Sequence, residues 1–158
     1  MHLAQLNVAR LLAPIDDPRI TEFRDALGPV NALAEVSPGF VWRLAESDDD
    51  PTALVQHDFG DFAVTYSVWD SRESLWNFVY RSGHLDYLRR RLEWFHRNAE
   101  VSSVMWWVEE GVIPSLAEGI ERLTHLRAHG PSPAAFTFKQ FYDSSEAANL
   151  PAAAEVRK

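Results

Sequence analysis

The chain has no cysteine among its 158 residues, which excludes disulfides, thiolate metal sites, iron–sulfur clusters and a cysteine nucleophile. No stretch approaches the roughly 20 apolar residues of a membrane span. The first residues, Met1-His2-Leu3-Ala4-Gln5-Leu6, carry neither a basic region nor a long apolar signal segment. A soluble cytoplasmic protein with no membrane partner is expected. Positive charge is scarce: 15 Lys and Arg stand against 23 Asp and Glu, a formal net charge of -8, so a phosphate backbone is repelled and nucleic acid is not an expected partner. The sequence also lacks a phosphate-cradling glycine loop, a nucleophile elbow and a dinucleotide fingerprint. No cofactor is expected from motifs.

Aromatic residues are what the chain has in quantity, with six Trp and nine Phe. Each ring can bury on the order of 150 to 250 Å², which suits a core, a partner interface or an apolar ligand pocket. With 46% apolar residues the chain can bury one core but not two.

Hydrophobic periodicity orders the elements. Leu3 to Leu12 reads as a first strand ending at Ala13-Pro14. Asp16-Asp17-Pro18 starts a helix carrying Ile20, Phe23, Ala26 and Leu27, which Gly28-Pro29 is expected to break before a short piece through Val30, Leu33 and Ala34. Phe40, Trp42 and Leu44 alternate with Val41, Arg43 and Ala45 in a second strand. The acidic run Glu46-Ser47-Asp48-Asp49-Asp50-Pro51 reads as a solvated loop, since it lacks the glycine and distal glutamate of a calcium loop. Phe62 to Trp69 is a third strand, rich in residues that fit a pleated surface. Asp70-Ser71-Arg72-Glu73 starts a helix, Ser82-Gly83 interrupts it, and a second helical run carries Leu85, Leu88, Leu92 and Phe95. Val101 to Val108 is the fourth strand. Pro114 to His129 is a further helix, Ala135 to Phe141 alternates like a fifth strand, and the Ala- and Glu-rich remainder from Asp143 reads as a flexible tail.

The fold class is therefore α+β, a ferredoxin-like β-α-β-β-α-β order with an extra C-terminal helix and strand, forming one domain over residues 1–142 followed by a tail over 143–158. Met105 and Trp107 fall on one face of the fourth strand, and Val104, Trp106 and Val108 on the other. Helices cover only one face of such a sheet, so a homodimer is expected to cover the second.

Several stretches, in order, resemble a known family: Leu6-Asn7-Val8-Ala9-Arg10, Pro38-Gly39-Phe40-Val41-Trp42-Arg43, Ser67-Val68-Trp69-Asp70-Ser71, Tyr80-Arg81-Ser82-Gly83-His84, Arg91 with Trp94-Phe95, Met105-Trp106-Trp107-Val108, and His125-Leu126-Arg127-Ala128-His129-Gly130-Pro131. Over roughly residues 2 to 142 the chain resembles the bacterial DUF3291 family, whose name announces an unknown function. The resemblance implies the dimeric α/β barrel superfamily, which includes antibiotic-biosynthesis-type monooxygenases, haem-degrading and haem-binding enzymes, isomerases and stress-responsive proteins, so fold does not settle function. In the monooxygenase branch a Ser-Pro-His-Phe motif breaks the second-half helix. Ser82-Gly83-His84-Leu85 is similar to it, with the proline and the aromatic replaced.

Two readings of each candidate residue stand side by side. His84, near a helix start where the positive helix end favours a neutral imidazole, suits a general base or else a helix cap or packed core ring. Arg91, two turns on in an unbroken helix, suits an oxyanion partner, whereas the rest of Arg89-Arg90-Arg91 reads as a solvated face. Asn7, in an otherwise apolar strand, must find a hydrogen-bond partner or face a cavity. Trp42, Trp76, Trp106 and Trp107 suit a pocket wall or the core, and Tyr66 and Tyr80 could orient a substrate oxygen or pack structurally. His125 and His129 have the i, i+4 spacing of paired metal ligands, but no glutamate lies in the zincin position between them and both complement the helix dipole.

The leading expectation is a small pocket enzyme that oxygenates an apolar, aromatic or polyketide-like molecule without a cofactor, or promotes its proton-transfer rearrangement. The resemblance leaves haem as an alternative cofactor, with His84 or His96 as its ligand, because relatives place an axial histidine on a second-half helix. A non-catalytic ligand-binding or stress-response dimer is the third alternative.

Overall fold

The computed structural model describes residues 1–45, 62–97 and 100–149. The acidic run from Glu46 and the end of the expected tail lie outside the described residues. The elements are β1 (His2–Arg10), α1 (Thr21–Glu35), β2 (Phe40–Arg43), β3 (Phe62–Trp69), α2 (Arg72–Arg81), α3 (His84–Arg89), β4 (Ser103–Val108), α4 (Leu116–His129) and α5 (Ser144–Ala148). The strands form one antiparallel sheet in the order β2-β3-β1-β4. This is the ferredoxin-like order expected from the sequence. No described helix is long and apolar enough to cross a membrane.

Register decides what each face of the sheet presents. Gln5 stands opposite Ser67 and Met105, and Asn7 opposite Thr65 and Ser103, so these residues share one face. On the other face Leu6, Val8, Val64, Tyr66, Val68, Val104, Trp106 and Val108 form a core with Leu123 and Leu126 of α4. The first face is covered by α1 and α2, whose Ala34, Leu75 and Val79 pack with Leu3, Trp69 and Met105.

The helix α4 occupies the face that the sequence assigned to a partner subunit. The Ser115 side chain caps it by accepting from the Glu118 amide, and Gly130 ends it at φ 76. Tyr66 donates its hydroxyl to the Ser115 carbonyl at 3.2 Å. Gly119 allows close approach: a Cβ there would sit 3.2 Å from Leu6 Cδ2 and 3.4 Å from the Trp106 ring. The apolar second face is thus buried within one chain, and its apolarity no longer argues for a dimer.

Other expectations are corrected by local packing. Helix α1 runs through Gly28-Pro29 with Pro29 inside it. An interior proline costs about 3 kcal/mol, and burial of Ala26, Leu27 and Ala34 along the same helix opposes that cost. In β2 a bulge lies between Phe40 and Trp42, which pair with the adjacent residues Trp69 and Val68. Phe40 and Trp42, expected on one face, therefore sit on opposite faces. The helical run from His84 stops at Arg89 and is followed by a 3-10 turn at Arg91–Glu93, which leaves Leu92 47% exposed instead of in the expected stripe.

The expected fifth strand is reduced to isolated bridges. Phe136 exchanges both backbone hydrogen bonds with Met105, at 2.8 and 2.9 Å. Contacts of Phe136 with Phe141 and of Phe138 with Trp76 then hold the chain in a turn in place of a ladder. The expected tail begins with α5, closed by a capping box between Asp143 and Glu146, and Trp107 Nε1 donates to the Tyr142 carbonyl at 2.9 Å just before it.

Gly119→Leu drives a side chain into Leu6 and Trp106. Loss of about 1–3 kcal/mol of stability is expected from such overpacking, read from urea denaturation. An unchanged midpoint would show that α4 does not lie on this face.

Candidate functional site

Between the first sheet face and helices α1 to α3 lies a cavity of about 710 Å³. A sheet face covered by helices is ordinarily apolar, yet the floor here is Gln5, Asn7, Thr65, Ser67 and Ser103. Asn7, Thr65, Ser67 and Ser103 are short and leave room that leucines or phenylalanines would fill. The floor residues are also partly linked: Gln5 Nε2 donates to Ser103 Oγ at 3.3 Å, and Trp69 Nε1 donates to Ser67 Oγ at 2.9 Å. Phe23, Trp69, Phe78, Trp94 and Phe95 supply aromatic walls, with Phe23 set edge-on to Phe95 at 4.9 Å. An apolar wall over a polar floor suits an aromatic molecule bearing oxygens.

His84 lines this cavity. The Ser82 hydroxyl accepts from the His84 amide at 3.2 Å, and the imidazole Nδ1 lies 3.1 Å from the Val79 carbonyl. A carbonyl only accepts, so Nδ1 carries the proton and Nε2 carries the lone pair. Burial pushes the His84 pKa below its ordinary value, and the bond to Val79 opposes this without cancelling it. The result is a neutral imidazole with a fixed tautomer. The Phe78 ring, 5.0 Å away, holds its orientation.

Arg91 also lines the cavity, and one Nη donates to the Leu88 carbonyl at 3.0 Å. It reaches this position through the 3-10 turn, because the continuous helix assumed from the sequence is absent. Its neighbour Arg90 is occupied elsewhere, bonded to Glu22 and Glu93 at 2.5 and 2.6 Å and lying 4.9 Å over Trp94. Asn7, Tyr80 and His96 are further lining residues.

The remaining candidates lie elsewhere. Trp42 packs edge-on to Tyr66 at 5.3 Å under α4. Trp106 is fully buried on that same side. Tyr66 touches the cavity wall, but its ring belongs to the α4 core, where burial raises the phenol pKa, with Glu118 adding and Arg122 opposing. Outside the cavity lining, Trp76 packs at a tilt against Tyr80 at 4.4 Å and edge-on to Phe138 at 5.1 Å, and Trp107 packs with Phe141. His125 and His129 stack at 4.5 Å on α4. Among the described residues no cluster of three His, Asp or Glu side chains could hold a metal ion.

Sequence reasoning found Asn7 but missed the rest of the floor and the walls from Trp69 and Trp94. The signal was available: Gln5 and Asn7 in β1, and Thr65 and Ser67 in β3, repeat a polar residue every second position within otherwise apolar strands.

A ferredoxin-like sheet with a ligand-sized cavity under its helices defines the class as an α+β pocket protein. Residues 2–152 match the family described as a domain of unknown function, DUF3291, and the chain belongs to that family. Among curated proteins none matches the chain. Of solved structures, Rv0793 from Mycobacterium tuberculosis is 17% identical over 71% of this chain and 100% of its own, with a TM-score of 0.51. SnoaB, a cofactor-independent oxygenase from Streptomyces nogalater, is 16% identical over 72% and 98%, with a TM-score of 0.45. A monooxygenase from the gene ActVA-Orf6 of Streptomyces coelicolor, in complex with nanaomycin D, is 17% identical over 72% and 92%, with a TM-score of 0.43. What the first of these shares with the chain is the fold.

The depressed His84 pKa makes stability depend on pH. From the ordinary value of about 6.5 down to the lowered folded value, the unfolded chain takes up a proton that the folded chain refuses, so acidification destabilises the fold. Between about pH 7.5 and about pH 5.5, the wild type should lose more unfolding free energy than His84→Gln. Equal losses would contradict a buried, neutral His84.

Proposed function

We propose that the chain is a cofactor-independent enzyme acting on an apolar, oxygen-bearing aromatic or polyketide-like molecule held in the cavity, with His84 as general base. The observation that carries the reading is the fixed tautomer: a neutral imidazole on the cavity wall, its Nδ1 engaged by Val79 and its Nε2 free to accept a proton. Removing a proton from a phenol or an acidic C–H leaves an electron pair delocalised onto the substrate's oxygen. The Arg91 guanidinium or the Asn7 amide then stabilises that oxyanion. Returning the proton at another carbon completes a rearrangement. Alternatively, dioxygen oxidises the carbanion, converting a CH2 to C=O and releasing water, so that both oxygen atoms and all four electrons are accounted for.

A haem reading asks for the same Nε2, or for His96. The floor of amide and hydroxyl groups argues against seating the apolar face of a porphyrin there, so no step is assigned to haem. The homodimer implied by the resemblance belongs to the proposal only through surfaces outside the face that α4 covers.

Oxygen uptake with a hydroxylated anthrone as probe tests the reading. His84→Ala should lower turnover by about 10²-fold or more, with Asn7→Ala reducing it less. Turnover unchanged in both variants points to a non-catalytic ligand-binding protein. A Soret shift with hemin in the wild type that is lost in His84→Ala would replace the proposal with haem binding.

A further inference from the structure

The charges around the cavity point to the kind of molecule it takes. Four side chains with permanent charge line it, Arg43, Arg91, Arg97 and Lys139, and among the described residues no Asp or Glu does. The chain as a whole is acidic, with 23 acidic and 15 basic residues, so the basic lining does not mirror its composition. Three walls contribute: the end of β2, the segment after α3, and the C-terminal segment beyond Phe136. Arg43 is neutralised by Glu35 at 2.6 Å. Among the described residues no ion pair neutralises the other three, since the Arg91 guanidinium donates to an uncharged carbonyl. Elsewhere Arg19, Arg24, Arg90, Arg122 and Arg127 each have a carboxylate partner, whereas Arg10, Arg72, Arg81 and Arg89 form no ion pair among the described residues, so what sets the cavity apart is that its lining holds cations and no carboxylate.

We infer that the cavity selects an anionic aromatic ligand, a carboxylate carried on a ring system, with the ring against Trp69, Trp94 and Phe23, hydroxyl or carbonyl oxygens over the polar floor, and the carboxylate at the rim facing Arg97 and Lys139. This rests on the cavity being the binding site of the proposed function and adds its charge selectivity. Unpaired cations beside a low-dielectric wall act on an anion more strongly than they would in open water. The apolar wall alone would accept a neutral analogue equally well.

Calorimetric titration with two matched probes, 1-hydroxy-2-naphthoate and its neutral carboxamide, tests this. The carboxylate is expected to bind about tenfold more tightly at low salt, an advantage that shrinks as ionic strength rises and the Debye length falls below roughly 5 Å. Arg97→Gln with Lys139→Gln should bring carboxylate affinity down to that of the amide while leaving amide affinity unchanged, which also controls for folding. Equal affinities of both probes in the wild type overturn the charge selectivity and leave the pocket-enzyme reading standing. Binding of neither probe overturns both. An advantage that persists in the double variant assigns the anion to other groups and overturns the role of Arg97 and Lys139.

Discussion

The structure depends on how strand alternation divides the sheet's side chains. Bulky groups such as Leu6, Tyr66, Val68, Val104 and Trp106 go to one face, and the amides and hydroxyls of Gln5, Asn7, Thr65, Ser67 and Ser103 go to the other. A one-residue slip would exchange these sets, placing polar groups under α4 and apolar bulk in the cavity. The cavity is therefore a consequence of register. It is open because the side chains beneath it are short, and polar because hydroxyls and amides are tolerated where a ligand or solvent can reach them.

Rigidity on one side supports openness on the other. The face under α4 is densely filled, with Tyr66 between Trp42 and Trp106 and Gly119 closing the contact. Leu3, Trp69 and Met105 add a second cluster under α1 and α2. A third, around Ile20 and Trp94, closes the end of the cavity near the start of α1. The floor residues project from strands held by these clusters, so the geometry presented to a ligand is set by elements that do not themselves touch it.

Much of the fold was legible because its elements are strongly periodic. The strand Phe62–Trp69 and the helix ending at His129 have apolar spacing and caps that local rules interpret correctly. The interruption at Ser82-Gly83 was legible too, and the structure puts His84 directly after it. The errors share a cause, which is tertiary contact overriding a local signal. Pro29 reads as a helix end only if burial of Ala34 beyond it is ignored. The alternation of Phe136 and Phe138 reads as a strand only if their contacts with Phe141 and Trp76 are ignored. For the site, aromatic abundance drew attention to Trp42, Trp76, Trp106 and Trp107, all of which fill space outside the cavity, while the modest residues Gln5, Thr65, Ser67 and Ser103 form its floor. Ring size signals burial, and burial does not say against what.

The extra residue in β2 has a consequence for how this protein can vary. By pairing Phe40 and Trp42 with consecutive residues of β3, the bulge inverts side-chain parity partway along an edge strand. Trp42 goes to the α4 core and Arg43 to the cavity, while the interior strands keep their register. Because Phe40, Trp42 and Arg43 face Trp69, Val68 and Ser67 in turn, a single-codon deletion at Val41 would remove the bulge and leave all three side chains on their present faces. The edge strand can therefore lose its extra residue while the cavity, the α4 core and the sheet interior keep the side chains they have.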